Sequence, residues 1–285
     1  MLKKIKMLVA AVLLAVLAAG CSSASGSKNI TLAYVAWDSE IASTYVVKEV
    51  LEQKLGYKVE MLQVDAGPMW AGVSDGSADG IVAAWLPSTH ASYADKYKGQ
   101  YEDLGANLEG TKTGLVVPKY MDINSIEDLN DKTGPELDYK IIGIEPGAGL
   151  MMASEKALDE YGLRDKWTLL ESSSAAMSQE LQKAYDNKEP IVVTGWTPHW
   201  MFAKMDLKYL DDPKNVYGGA EQIHTIVRKG LKEDKAEAYA FLDKFNWTPD
   251  DMAKVMVAIQ GGETPEAAAK AWVEGNAELV DAWLK

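Results

Sequence analysis

From Asn29 onward, short apolar runs alternate with stretches whose apolar residues recur every three or four positions, which predicts strands and helices in turn. "ITLAYV" (30–35) predicts a strand. Residues 39–55 predict a helix with Ile41, Val47, Val50, Leu51 and Leu55 on its buried side and Gly56 as its stop. "YKVEMLQV" (57–64) predicts a second strand, residues 69–73 a short helix, and "GIVAAW" (80–85) a third strand. This order is that of an α/β lobe with a mostly parallel sheet flanked by helices.

After "TGLVVP" (113–118) the alternation starts afresh. Ser125 and Asp128 in "SIEDL" make a capping-box start. "KIIGIE" (140–145), "WTLLE" (167–171) and "PIVVTGW" (190–196) predict strands, with helices over 149–162 and 174–187 between them, giving a second α/β lobe. "IHTIVRKG" (223–230) leads the chain back, and helices from about residue 233 finish the body. Thr248-Pro249 and Thr264-Pro265 each read as an N-cap followed by proline in the first helical position. Trp272, Leu279, Val280 and Trp283 then recur at helical spacing and belong to a core. Trp70 and Trp167 lie inside apolar segments, Trp247 precedes the Thr248 cap as a hydrophobic staple does, and Trp200 opens a helix; all four read as packing residues.

The N-terminal residues follow a different rule. Lys3, Lys4 and Lys6 form a basic head before an apolar run over 7–19 that is too short to span a membrane, so residues 1–20 read as a secretory signal. The run ends in "AAGC", which places Cys21, the only cysteine, where a bacterial lipoprotein signal is cut and its new N-terminus lipidated. An ordinary signal followed by an idle thiol is the alternative, with Ala18 in a position where leucine is commoner. Either way the protein leaves the cytoplasm without a disulfide. Residues 21–28 make a flexible tether. The formal net charge of −13 includes those three signal lysines, so the mature chain is more acidic still, and nucleic acid is excluded as a partner.

Among the nine tryptophans, Trp37, Trp85 and Trp196 each end an apolar strand and are followed within two residues by helix-start chemistry: "WDSE", "WLPST" and "WTPHW". In open α/β sheets the ligand crevice lies outside the carboxyl ends of the strands, so these indoles can converge although far apart in sequence. A fourth junction, "IIGIEPGAG" (141–149), offers glycines and backbone N–H groups at the foot of a helix, a natural anion site. A ligand matching both would carry a soft cation at one end and an anion at the other. Each desolvated cation–π contact gives about 2 kcal/mol, against roughly 0.5–1 at an exposed site. Since micromolar affinity needs about 8 kcal/mol, three indoles and charge-assisted hydrogen bonds are required where one indole would not suffice. His90, five residues after Trp85, lies near the same mouth and could donate to a carboxylate; alone it reads first as a surface or packing histidine. His199 and His224 lack that setting, and the three histidines show no metal-site spacing.

Taken together, "YVAWDSEIAST", "GPMW", "GSADG", "AWLPSTH", "IIGIEPGAG" and "TGWTPHWMF" resemble the glycine betaine-binding subunits of bacterial ABC importers of compatible solutes, over essentially the whole mature chain. The resemblance implies a two-lobed periplasmic-binding-protein fold of type II with the cleft between the lobes. It implies a prism of Trp37, Trp85 and Trp196 around a trimethylammonium group, and a carboxylate held by the amides of Gly143 and Ile144 and by His90. Some members carry the two halves in the opposite order; here the lobe with two of the tryptophans comes first.

On that basis lobe 1 is expected over 29–115 and 224–285 and lobe 2 over 116–223, joined through about residues 113–118 and 221–228. Closure of the lobes on the ligand is the expected signal to the membrane subunits of an ABC permease. The expected partners are glycine betaine or a related small quaternary ammonium, that permease, and the membrane through the N-terminal lipid. No cofactor, metal or catalytic residue is expected, and the protein is expected to be an extracytoplasmic monomer on the outer face of the cytoplasmic membrane. Proline betaine, carnitine and choline are the rival ligands, with the amides and His90 favouring a carboxylate over choline's hydroxyl. A secreted glycoside hydrolase using Asp38, Glu40 or Glu145 is the rival class, but the chain supplies neither eight strand–helix units for a barrel nor a nucleophile elbow or phosphate loop. Asp38 and Glu40 read instead as carboxylates placed to suit a helix dipole.

Overall fold

The computed structural model describes residues 28–285. The expected signal, the lipidation at Cys21 and the tether up to residue 27 lie outside the described residues.

Strand β1 (Asn29–Tyr34) buries Ile30 and Leu32 and leads through Trp37 into helix α1 (Asp38–Gln53), whose Ala42, Val46, Val47, Val50 and Leu51 face inward at helical spacing. Strand β2 (Lys58–Gln63), helix α2 (Ala66–Asp75), strand β3 (Gly80–Leu86) and the short helix α3 (Ala91–Lys96) follow. The 18-residue strand β4 (Tyr101–Pro118) crosses to the second group of strands. There the chain forms β5 (Lys140–Ile142), α4 (Gly149–Glu160), β6 (Thr168–Leu170), α5 (Ser174–Asn187), β7 (Val193–Thr197), α6 (Trp200–Lys204) and β8 (Leu207–Tyr209). Strand β9 (Glu221–Arg228) returns it, and helices α7 (Leu231–Asp234), α8 (Ala236–Lys244), α9 (Pro249–Gln260), α10 (Pro265–Gly275) and α11 (Ala277–Trp283) complete the body.

The strands run in the order β2-β1-β3-β9-β4-β7-β5-β6, with β8 added beside β4. The expectation of a mostly parallel sheet in each lobe needs correction. β1–β2, β1–β3, β5–β6 and β5–β7 are parallel, but β3–β9, β4–β9, β4–β7 and β4–β8 are antiparallel. The reason is connectivity: strands reached through helical crossovers run parallel, whereas β4 and β9 carry the chain out and back. β4 changes partner in mid-strand, from Thr111 opposite Glu221 of β9 to Lys112 opposite Thr197 of β7. Its first two thirds, "YEDLGANLEGTK", are missing from the sequence reading because they are half-exposed, broken by register shifts and lack an apolar run.

Local capping chemistry is as the sequence predicts. Ser125 and Asp128 form a capping box, although on a single 3-10 turn (Ile126–Asp128). Thr248 and Asp251 form another on α9, and the Thr264 hydroxyl accepts the Ala267 N–H on α10. Helices α9 and α10 pack on α1, and Trp272 stacks on Trp283 with ring centroids 5.9 Å apart, beside Trp247 and Phe245. This aromatic cluster is core and lies apart from the strand ends that carry the other indoles. No helix among the described residues is long and apolar enough to cross a membrane.

Candidate functional site

Four strand ends meet. Trp37 occupies the N-cap position of α1 in extended backbone, where β1 hands over to the helix. Trp85 is on β3, Trp196 on β7, and Ile144 lies two residues beyond β5. Together with Thr89, Thr113 and Leu150 they line one small cavity of about 20 Å³, far below the range of about 300–1,000 Å³ typical of drug-sized ligands. No charged side chain lines it. Trp37, Trp85 and Trp196 are 6%, 3% and 4% exposed, so their faces are desolvated, the condition under which a cation–π contact is strongest.

Each of the three indoles is fixed through its N–H. Trp85 Nε1 donates to Glu40 Oε1 at 2.7 Å, Trp196 Nε1 donates to the Ser39 hydroxyl at 3.0 Å, and Trp37 Nε1 donates to the Glu145 carboxylate. Ser39 in turn donates to the other oxygen of Glu40. Two of these bonds, Trp37 to Glu145 and Trp196 to Ser39, join residues from the two groups of strands, as does Trp200 Nε1 to Asp38 Oδ1 at 2.9 Å. Ser174 also donates to Asp38, at 2.9 Å, and Tyr93 donates to the Gly147 carbonyl at 2.7 Å.

The carboxylates behind the indoles respond differently. Burial pushes Glu40 up to about 7, against hydrogen bonds from Ser39 and Trp85 that favour its charged form. Glu145 is raised for the same reason. Burial alone would also raise Asp38, but its contacts with His199, Ser174 and Trp200 overcome that and hold it below the ordinary 3.8. Asp38 and Glu40 do stand on the first turn of α1, yet they do more than complement a dipole, because they hold indoles from both sides of the cavity.

Of the anion-binding candidates, Ile144 lines the cavity and its N–H faces only the thioether of Met151, at 3.2 Å, a weak acceptor. Gly143 departs from the expected pair of donors. Its N–H is taken by the Leu170 carbonyl at 2.8 Å, because parallel pairing of β5 with β6 continues one residue past the strand. A Cβ here would lie 2.4 Å from Met151 Sδ and 3.1 Å from the Leu170 carbonyl oxygen, so the thioether would have to swing aside.

His90 is fully buried and does not form part of the cavity wall; its ring lies 5.8 Å from that of Trp37. Nδ1 accepts two N–H groups, from the Trp85 backbone at 3.1 Å and from Trp70 Nε1 at 3.3 Å. The proton therefore sits on Nε2, which is buried without a partner. Burial lowers the His90 pKa to about 3, so the ring stays neutral with that N–H in place.

Several participants escaped the sequence reading. Thr89, Thr113 and Leu150 complete the wall, Trp70 sets the His90 tautomer in addition to packing, and Glu40, Ser39 and Glu145 orient the cage. His199, given no place at the mouth, is buried edge-on against Trp196 with centroids 4.6 Å apart and Nε2 3.3 Å from Asp38. His224 pairs with Asp103 on β4. The position of Glu40, one residue past Ser39 and three past Trp37, was the only local signal for its role.

Comparison with known proteins gives a consistent picture. Residues 28–275 match the family described as the substrate-binding domain of the ABC-type glycine betaine transport system. The glycine betaine/carnitine transport binding protein GbuC of Listeria monocytogenes is 57% identical over 157 residues, 55% of this chain and 52% of that protein, so the match spans about half the length of this curated relative. The crystal structure of lactococcal OpuAC, closed and complexed with glycine betaine, superposes with a TM-score of 0.86 at 50% identity, covering 90% of this chain and 99% of that one. An ABC-transporter choline-binding protein in complex with choline matches with a TM-score of 0.84 at 27% identity, covering 90% and 92%. On the family match over almost all the described residues, and with four strand ends converging as that fold requires, the chain belongs to the family of substrate-binding domains of ABC-type glycine betaine transport systems.

Proposed function

We propose that this protein captures glycine betaine outside the cytoplasm and delivers it to the membrane subunits of an ABC permease. The observation that carries the reading is the wall of the cavity: three buried indoles, their N–H edges turned onto acceptors, with no charged side chain among the lining residues. A quaternary ammonium has no N–H to satisfy, so aromatic faces are its natural surroundings. For a carboxylate, the Ile144 N–H on the cavity wall and the Nε2–H of His90, whose ring lies beside Trp37, are donors whose present partners are weak or absent. Gly143 serves as a donor only if its bond to Leu170 is given up or shared.

Lobe 1 is read as 29–115 with 224–285 and lobe 2 as 116–223, a reading that the change of β4's partner at Thr111 and Lys112 supports to within a few residues. Trp37, Trp85 and His90 then come from one lobe and Ile144 and Trp196 from the other, so ligand capture and closure are one event. Cys21, outside the described residues, is the proposed lipid attachment point, read from "AAGC". Mass analysis of the mature N-terminal peptide tests it.

A hydrolase reading finds no support in the geometry. Asp38, Glu40 and Glu145 are all engaged by indole N–H groups, and none lines the cavity, whereas glycoside hydrolysis needs two carboxyls flanking the bond. Calorimetric titration with glycine betaine, proline betaine, carnitine and choline is the deciding experiment. A one-to-one complex tightest with glycine betaine, from which the ligand is recovered unaltered, is the expected result. Tighter binding of choline, or no binding of any betaine, would refute the assignment.

A further inference from the structure

Glu40 has no exposed surface, yet it is linked to cage indoles from both groups of strands, to one directly and to the other through the Ser39 hydroxyl. One oxygen accepts from Trp85 of β3 at 2.7 Å. The other accepts from the Ser39 hydroxyl, which itself accepts from Trp196 of β7 at 3.0 Å. Enclosing a carboxylate this way is costly unless a cation compensates it. Among the described residues, none of the ion pairs includes Glu40, and the charged neighbour acting on it, Asp38, has the same sign. Burial raises its pKa, and the like charge of Asp38 adds to that. A neutral glutamine has the shape to accept from Trp85 through its oxygen and, with the Ser39 hydroxyl proton turned away, to donate to Ser39 through its nitrogen, so orienting the indoles does not by itself explain why the residue is an acid.

We propose that Glu40 is the counter-charge of the bound cation, a positioning residue that touches no ligand atom but acts through the indoles of Trp85 and Trp196, which it both orients and polarises. This rests on reading the cavity as a quaternary ammonium site. An N–H donated to an anion, as Trp85 donates to Glu40, shifts electron density into its ring, and the face turned to the cavity becomes more negative; for Trp196 the effect is relayed through the Ser39 hydroxyl. The carboxylate's own field adds to this, since no solvent screens it between α1 and the cavity. In return the ligand supplies the positive charge that the protein withholds. The consequence is specificity for charge as distinct from shape: the site should select a trimethylammonium group over a tert-butyl group of the same outline.

The test compares glycine betaine with 3,3-dimethylbutanoate, which keeps the shape and the carboxylate but has a neutral carbon in place of the nitrogen. Both are titrated calorimetrically into the parent protein, Glu40→Gln and Glu40→Asp, with circular dichroism confirming the fold. In Glu40→Gln, glycine betaine should lose about tenfold in affinity while the neutral analogue stays within about twofold, so the ratio contracts about tenfold, the scale of one partly screened charge. Equal losses for both ligands would show a purely structural role and overturn the proposal. Glu40→Asp keeps the charge and should keep the ratio even if both affinities fall; a tenfold contraction there would also overturn it, and this arm decides alone if Glu40→Gln does not fold. Failure of the parent to bind glycine betaine would remove the cation reading itself, a different outcome from an unmoved ratio in a parent that binds.

Discussion

Trp200 donates its indole N–H to Oδ1 of Asp38 at 2.9 Å, across 162 positions of sequence. Ser174 holds the other oxygen at 2.9 Å, with His199 3.3 Å away, so a single carboxylate on α1 clasps the starts of α5 and α6. These bonds exist only while the two groups of strands are together. Asp38→Ala should therefore weaken glycine betaine binding by about 2 kcal/mol, roughly thirtyfold, by destabilising the closed form without touching the cavity wall. Calorimetry gives the affinity, and small-angle scattering of the saturated variant should show a larger radius than the saturated parent.

Gly149 makes the opposite kind of contact. A Cβ at this position would lie 2.0 Å from the Thr89 carbonyl oxygen, a backbone atom of the facing group that cannot swing aside. Gly149→Ala should cut affinity by at least about tenfold while leaving the empty protein as stable as the parent or slightly more so, because alanine is favoured over glycine in a helix by about 1 kcal/mol. Thermal melts with and without ligand separate the two effects: the ligand-induced rise in Tm should shrink and the ligand-free Tm should not fall.

Trp85→Ala removes one wall of the cavity and, on the proposed reading, one desolvated cation–π contact. The expected cost is about 2 kcal/mol, or roughly thirtyfold in affinity for glycine betaine. Unchanged binding in calorimetric titration would dispose of the cage.

His90→Phe should separate ligands by their anionic end. Losing the Nε2–H donor should weaken glycine betaine by about 1.5–3 kcal/mol, the worth of a hydrogen bond to a charged group, and leave choline, which has no carboxylate, much less affected. The variant will also lose stability, since Trp70 Nε1 and the Trp85 N–H are left without their acceptor. The ratio of the two affinities is therefore the quantity to compare.

Glu40 and His90 push the pH dependence of stability in opposite directions. Burial raises Glu40 from 4.5 to about 7, so the folded state retains a proton that the unfolded chain releases. Its contribution is complete below 4.5 and is lost as the pH rises through 7. Burial lowers His90 from 6.5 to about 3, so its contribution is complete above 6.5 and is lost as the pH falls toward 3. Denaturant melts across this range should show Glu40→Gln gaining stability relative to the parent as the pH rises from 4.5 to above 7. A pH-independent difference would mean that Glu40 does not change its charge there.

What the sequence determined alone was everything set by neighbours along the chain. Apolar rhythm marks β1, β3 and α1, threonine–proline caps mark α9 and α10, and Trp37, Trp85 and Trp196 stand out because each closes an apolar strand just before a turn. Burial patterns and caps arise from contacts within a few residues, so they can be read without coordinates. Their convergence follows from where strands end in an α/β sheet.

Which hydrogen-bond partners those side chains find depends on how the strands assemble. Glu40 looked like any acid on a first helical turn until β3 brought Trp85, 45 positions away, onto it. Gly143 looked like a free donor until β6 supplied the Leu170 carbonyl, and Trp70 looked like filler until the chain reversal after β3 set His90 against it. Strand order and register fix these pairings, and the polar–apolar rhythm of a segment is the same whichever strand lies beside it.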